Sequence, residues 1–229
     1  MIIGGIQKTT LIDYPGKVAA IVFTRGCPLR CHYCHNPALV LPERYAEQIP
    51  TEKVMSFLES RKGKLDGVAV TGGEPTMQAD LPEFLKRISG MGFQIKLDTC
   101  GVNPQMLEKL IKSGLLDYVA MDLKAPFGRY KEVAGVPIKE EFIRRSIGII
   151  MGSGLDYEFR TTIVKGQLAE SDIVEMAGSI EGAKMYALQR FRGGDTLDPK
   201  FGKMEAYTVE EMERIREKAG KHVEACIVR

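Results

Sequence analysis

A chain of 229 residues, 44% of them hydrophobic, is long enough to bury a full core and too ordinary in composition to be disordered. A net charge of +2 gives no basic stripe of the kind a nucleic-acid binder needs, and no apolar run is long enough to cross a membrane. Five cysteines, an odd number with no basic-then-apolar leader before them, argue against a disulfide framework and for reduced thiols in the cytoplasm.

Residues 1–16 read as a short hairpin or extended lead-in closed by the turn signal Asp13-Tyr-Pro-Gly16. Lys17 to Phe23 is a near-continuous apolar β-type run, as in a strand buried on both faces of a parallel sheet. An alternation follows. Thr51 is placed to cap a helix whose Val54, Met55, Phe57 and Leu58 share one face. Strands are expected at Asp66–Val70, Phe93–Leu97, Tyr118–Met121, Tyr157–Val164 and Lys184–Leu188. Helices are expected between them at Leu81–Ile88, Asn103–Lys112, Lys139–Met151 and Ser171–Ile180. The second of these helices has an Asn cap and a Pro in its first turn, and Gly114 stops it. The segment 192–229 closes the chain with a glycine-rich loop (Arg192 to Lys203), a helix from Thr208 to about Ala219 and a short strand, His222 to Val228. About six strand-helix units imply an α/β fold with right-handed crossovers. They are too few to close an eight-stranded barrel, so the expectation is an open, partial parallel βα barrel in one domain spanning 1–229.

The most informative stretch is Arg25-Gly-Cys-Pro-Leu-Arg-Cys-His-Tyr-Cys-His-Asn36, directly after the first buried strand. Cys27, Cys31 and Cys34 can converge on one soft metal centre without a long loop closure. Three ligands leave a position open, as at catalytic metals and unlike a closed structural zinc or an electron-carrying cluster. A zinc site completed by His32 or His35, in a non-enzymatic interaction module, is the competing reading.

The remaining polar signals cluster where parallel βα folds build their sites, at the C-terminal ends of strands. Gly72-Gly73-Glu74-Pro75 offers a turn with close backbone approach to a ligand and a carboxylate for an ammonium. Asp98 and Thr99 end the next strand, and Asp122 with Lys124 the one after. Arg160 interrupts an apolar strand and so demands an internal carboxylate or a bound anion. Cys100 and Cys226 read as small buried thiols, and His222 as a solvated or satisfied histidine.

The C-x3-C-x2-C spacing with Tyr33 before the last cysteine, joined to Gly-Gly-Glu-Pro at the next strand end, resembles the radical S-adenosylmethionine enzymes. Thr10-Leu-Ile-Asp-Tyr-Pro-Gly16, Cys34-His-Asn-Pro37, Leu97-Asp-Thr-Cys-Gly101 and Met121-Asp-Leu-Lys124 narrow the resemblance to glycyl-radical enzyme activating enzymes, most closely those of anaerobic ribonucleoside-triphosphate reductase. The resemblance implies a [4Fe-4S] cluster on Cys27, Cys31 and Cys34, with S-adenosylmethionine chelated at the open iron. Tyr33 would lie against adenine, and Gly72, Gly73 and Glu74 would meet the methionyl ammonium. Asp98, Thr99 and Asp122 match positions that bind a monovalent cation or organise the methionyl end. Arg160 would lie near the carboxylate or ribose, and Gln189 near the ribose.

The implied reaction is reductive cleavage to a 5'-deoxyadenosyl radical that makes a glycyl radical on a partner enzyme. Electrons would come from an external one-electron donor such as flavodoxin or ferredoxin. Activation of pyruvate formate-lyase or another glycyl radical enzyme, or chemistry on a small metabolite, are the alternatives. Substrate contacts are expected in the lead-in and the Arg192 to Lys203 loop. The Cys100 position, often Asn in the resembled activases, is a departure.

Overall fold

A computed structural model describes residues 1–229. Eight strands form one sheet in simple sequential order, β1 to β8. They are β1 (Ile3–Thr10), β2 (Ala19–Thr24), β3 (Gly67–Gly72), β4 (Gln94–Thr99), β5 (Tyr118–Asp122), β6 (Asp156–Ile163), β7 (Tyr186–Arg190) and β8 (Cys226–Val228). Only β1 runs antiparallel, pairing with β2; every other neighbouring pair is parallel. No pairing joins β8 back to β1, so the sheet stays open, as the count of units predicted.

The crossovers carry α1 (Pro37–Val40), α2 (Thr51–Glu59), α3 (Leu81–Gly90), α4 (Pro104–Lys112), α5 (Tyr130–Ala134), α6 (Glu140–Met151), α7 (Glu170–Gly178) and α8 (Val209–Ala219). β3 and β5 read as apolar runs because both faces are covered: Val68, Ala69 and Val70, and Val119, Ala120 and Met121, are all buried. Each such valine or methionine side chain contributes about 1.5–3 kcal/mol of transfer free energy. The helices bury one stripe each; Leu81, Phe84, Leu85 and Ile88 of α3 are spaced to face the sheet together.

Several boundaries differ from expectation for local reasons. Pro50 occupies the cap position of α2 and Thr51 is its first helical residue, with no side-chain cap bond. The Asn103 cap forms as predicted, its side chain accepting from the Met106 amide. Thr208 closes a full capping box with Glu211 on α8. The last strand is shorter than its apolar run, Cys226–Val228. The short α1 and α5 lie inside loops that lack periodicity long enough to announce them.

The turn that closes the lead-in lies away from the strand ends where the polar residues gather. Because β1 pairs antiparallel to β2, with Thr10 opposite Ala19, its closing turn lies at the N-terminal end of β2. The cysteine loop leaves the other end, after Thr24. The turn Asp13–Gly16 is therefore a full strand length away from the cysteine loop, while at the other end of β1 the Ile2 carbonyl accepts from the Arg25 amide at 2.9 Å.

At the far edge, Arg229 grips Glu158 of β6 with both guanidinium nitrogens, at 3.1 and 2.7 Å. The Glu158 side chain is 1% exposed, so removal of its partner would strand a buried carboxylate. Arg229→Ala is expected to lower stability by about 3 kcal/mol, read as a shifted urea midpoint with unchanged slope.

Candidate active site

The polar strand ends meet in one cavity of about 240 Å³ at the C-terminal end of the sheet. Cys27, Cys31, Cys34 and Tyr33 line it from the cysteine loop, and Gly72, Gly73 and Glu74 from β3 and the turn after it. Asp98 and Thr99 enter from β4, Asp122 from β5, Arg160 from β6 and Gln189 from β7. Apart from His32, every residue singled out as a candidate ligand or site residue lies on this wall, drawn from five successive strands and one loop.

The Gly-Gly-Glu turn proves to be a clamp on the cysteine loop. The Gly73 amide donates to the Thr24 carbonyl at 2.9 Å and the Glu74 amide to the Gly26 carbonyl at 2.8 Å. A Cβ on Gly73 would sit 2.1 Å from the Gly26 oxygen, and one on Gly72 would strike the Thr24 backbone, at a positive φ of 121°. The glycines are thus required for backbone-on-backbone packing, where the sequence suggested approach to a ligand.

Glu74 is completely buried and already bonded within the chain. Its Oε1 accepts from the Thr76 amide and hydroxyl and from the Thr99 hydroxyl at 2.7 Å; its Oε2 accepts from the Cys100 amide at 2.7 Å. One carboxylate therefore fixes the ends of β3 and β4 relative to each other, with a second lone pair on Oε2 left over. The carboxylate is thus held in place by donors of the chain itself.

Arg160 finds two carboxylate partners inside the protein. Its Nε donates to Asp122 Oδ1 at 2.8 Å and its Nη1 to Asp98 Oδ2 at 3.1 Å. Lys124 Nζ reaches Asp122 Oδ2 at 3.1 Å, and Lys96 Nζ bonds Asp98 Oδ1. Burial works to raise the Asp122 carboxyl, but Arg160 and Lys124 outweigh it and hold the group well below the usual carboxylate range. Asp98 is likewise lowered against its burial, by Arg160 and then Lys96. Lys124 is raised well above the ordinary lysine range despite burial, chiefly by Asp122.

Lys96 escaped the sequence reading, although the argument that flagged Arg160 applies to it equally: both are charges inside apolar strands. Gln189 is held by Thr162, whose hydroxyl donates to its Oε1 at 3.4 Å.

The cysteine loop is held from three sides. Besides the Gly-Gly-Glu clamp, the Arg30 amide donates to the Ala134 carbonyl of α5 at 2.8 Å, and Gly135 packs on the Arg30 backbone. The third side is the glycine-rich loop: the Leu197 and Asp198 amides donate to the Cys34 and His32 carbonyls at 2.9 and 3.0 Å. His32 stacks on Phe201 and His35 on Phe191, each with ring centroids 5.4 Å apart. His32 is thus turned toward Phe201 and Asp198 and is absent from the cavity wall, which removes it as a fourth zinc ligand.

The donor set fits a soft, thiolate-ligated iron-sulfur cluster: three sulfurs on one loop share the cavity with an open space beside them. With only protein around them, burial and then Glu74 push the Cys27 thiol up to about 12, and burial pushes Cys31 up to about 11. Both are neutral thiols at pH 7, so a cationic centre must displace their protons as it binds. The Tyr33 hydroxyl is buried in the same wall without a hydrogen-bond partner, a vacancy suited to a polar ligand atom. Cys100, the departure from the resembled pattern, is buried on the wall, with burial and then Glu74 raising its thiol well above the ordinary value.

The profile of the Radical SAM superfamily matches residues 21–180. A Methanocaldococcus jannaschii protein provisionally named a glycyl-radical enzyme activating enzyme is 32% identical over all of this chain and 95% of its own length. The pyruvate formate-lyase-activating enzyme of Listeria monocytogenes is 34% identical over 131 residues, covering 52% of this chain and 51% of that enzyme. Streptococcus suis SuiB, solved bound to S-adenosylmethionine, superposes on 89% of this chain with a TM-score of 0.66 and 16% identity. That likeness is one of fold, and the chain spans 48% of SuiB.

Two outcomes check this geometry. Gly73→Ala is expected to destabilise by about 2 kcal/mol, because its Cβ has only backbone to displace; thermal unfolding would read it. Asp122→Asn is expected to cost about 2 kcal/mol near neutral pH by stranding Arg160 and Lys124. Since the folded Asp122 pKa lies below its ordinary 3.8, that difference is fully present above 3.8 and shrinks as pH falls toward the folded value. Urea unfolding of both proteins from about pH 7 to about pH 3 measures it.

Proposed function

We propose that this chain, which belongs to the radical S-adenosylmethionine superfamily and within it to the glycyl-radical enzyme activating enzymes, installs the glycyl radical of an anaerobic ribonucleoside-triphosphate reductase. The observation that carries the proposal is the meeting of three cysteines with polar strand ends from β3 to β7 around a single cavity. Superfamily membership brings a [4Fe-4S] cluster and S-adenosylmethionine; Cys27, Cys31 and Cys34 are the residues to hold the cluster. When bound, that pair supplies reductive cleavage of the sulfonium to methionine and a 5'-deoxyadenosyl radical, which takes hydrogen from a backbone glycine of the partner.

The chain's own share is placement and exclusion of water. The Gly72 to Glu74 clamp holds the cysteine loop at a fixed height above the strand ends and presents the turn to the methionyl ammonium. Asp98 and Asp122 organise the methionyl end through the bonds that set Arg160 and Lys124, and Thr99 does so through its bond to Glu74. Arg160 serves the carboxylate or ribose, Gln189 the ribose. Tyr33 lies toward adenine, where its unpaired hydroxyl gains a partner. Cys100 follows the end of β4 and Cys226 lies on β8; electrons are assigned to a separate donor such as flavodoxin or ferredoxin. No helix is long and apolar enough to cross a membrane.

A second reading keeps the chemistry and changes the partner to pyruvate formate-lyase, favoured by the Listeria relative that activates that enzyme by name. The test is to mix the anaerobically reduced, cluster-loaded protein and S-adenosylmethionine with each partner and record electron paramagnetic resonance. A glycyl doublet with the reductase is expected; a doublet with the lyase alone moves the assignment to the second reading, and none with any glycyl radical enzyme sinks both. Cys31→Ala is expected to retain its circular dichroism but to lose the visible absorbance of the cluster together with the doublet.

A further inference from the structure

On the wall beneath the strand ends, every side-chain oxygen of Asp98, Thr99 and Asp122, where the resemblance placed a bound monovalent cation, already has a partner within the chain. Both oxygens of Asp98 are taken, by Lys96 and Arg160. Both oxygens of Asp122 are taken, by Arg160 and Lys124. The Thr99 hydroxyl donates to Glu74 and accepts from the Gly101 amide at 3.1 Å. A hard cation needs several such oxygens at once. It would also enter a cluster in which three cationic side chains already face two carboxylates. Of the neighbouring carboxylates, Glu74 is bonded to Thr76, Thr99 and the Cys100 amide, and Glu158 is committed to Arg229.

Lys96 makes the difference. It sits two residues before Asp98 on β4, so both side chains project to the same face of the sheet. Its side chain is 1% exposed, its ammonium bonds Asp98 and lies 5.9 Å from the centre of the Tyr118 ring. A buried lysine with its stem packed and its charge on a site carboxylate is a fixed internal cation.

We propose that the Lys96 ammonium serves as the built-in counter-cation of this site, so that ligand binding here requires no alkali-metal ion. The inference rests on the S-adenosylmethionine reading of the cavity and adds a device to it. Lys96 is a positioning residue: it holds Asp98, which in turn holds Arg160.

Cluster-loaded, oxidised protein would be titrated with labelled S-adenosylmethionine by equilibrium dialysis in sodium, potassium and tetramethylammonium chloride of equal ionic strength. Wild-type affinities are expected to agree within about twofold; a weakening of about tenfold or more in tetramethylammonium would overturn the proposal. Lys96→Met removes the charge and keeps the stem. Its affinity is expected to become salt-specific, about tenfold weaker in tetramethylammonium and restored by potassium. Equal affinity of Lys96→Met and wild type in all three salts would overturn the proposal as well. Should Lys96→Met fail to fold, Lys96→Arg decides beside the wild type, since it preserves the charge and is expected to remain indifferent to the salt. Absence of binding in every salt would instead overturn the reading of the cavity itself, a result distinct from binding that demands an alkali ion.

Discussion

The buried carboxylate of Glu74 is the constraint on which the site depends. It receives hydrogen bonds from three separate places, the turn after β3, the end of β4 and the Cys100 amide, and it stands one residue beyond the glycine that packs on the cysteine loop. A charge removed from water survives only where donors replace the lost hydration, and here backbone and hydroxyl donors do so at fixed angles. Loop height, strand spacing and the direction of Cys100 are all consequences of satisfying one group.

Beside that neutral-donor knot lies a charge wall of the opposite construction. Lys96, Asp98, Arg160, Asp122 and Lys124 alternate in sign across β4, β5 and β6. Buried ion pairs return little net stability relative to apolar packing, so the arrangement is better understood as geometric insurance. Each cation has its position fixed by a carboxylate whose protonation state does not change near neutral pH, and a ligand meets donors that have already been oriented. The cost of ordering them is met by folding and not by binding.

The strand order and the open sheet are legible in the sequence because apolar β-type runs alternate with one-faced helices, and each period is a local property. The site roster is legible because charged and glycine residues recur at the ends of those runs. Arg160 announces itself as a charge in an apolar strand; Lys96 does the same. What the residues conceal is who satisfies whom. That Glu74 answers Thr99 and Cys100, or that Asp98 serves two cations, depends on pairings across strands that no spacing encodes. The place of the lead-in turn follows from connectivity alone, since a turn that feeds β2 lies at its N-terminal end, opposite the loop that leaves it. Contacts of long sequence separation were the part withheld, and they supply the finer geometry.

The loop from Arg192 to Lys203 gives the order of assembly a direction. Two of the backbone bonds that hold the cysteine loop come from Leu197 and Asp198, more than 160 residues downstream of the carbonyls they meet at Cys34 and His32. On a chain made from its N-terminus, the three thiols emerge early, while the strap over them appears only after β7 has been added. Closing so long a loop is slow relative to local structure. During that interval the sulfurs are exposed to any soft ion at hand, and the closure of this strap late in folding marks the point at which the loop acquires its final shape.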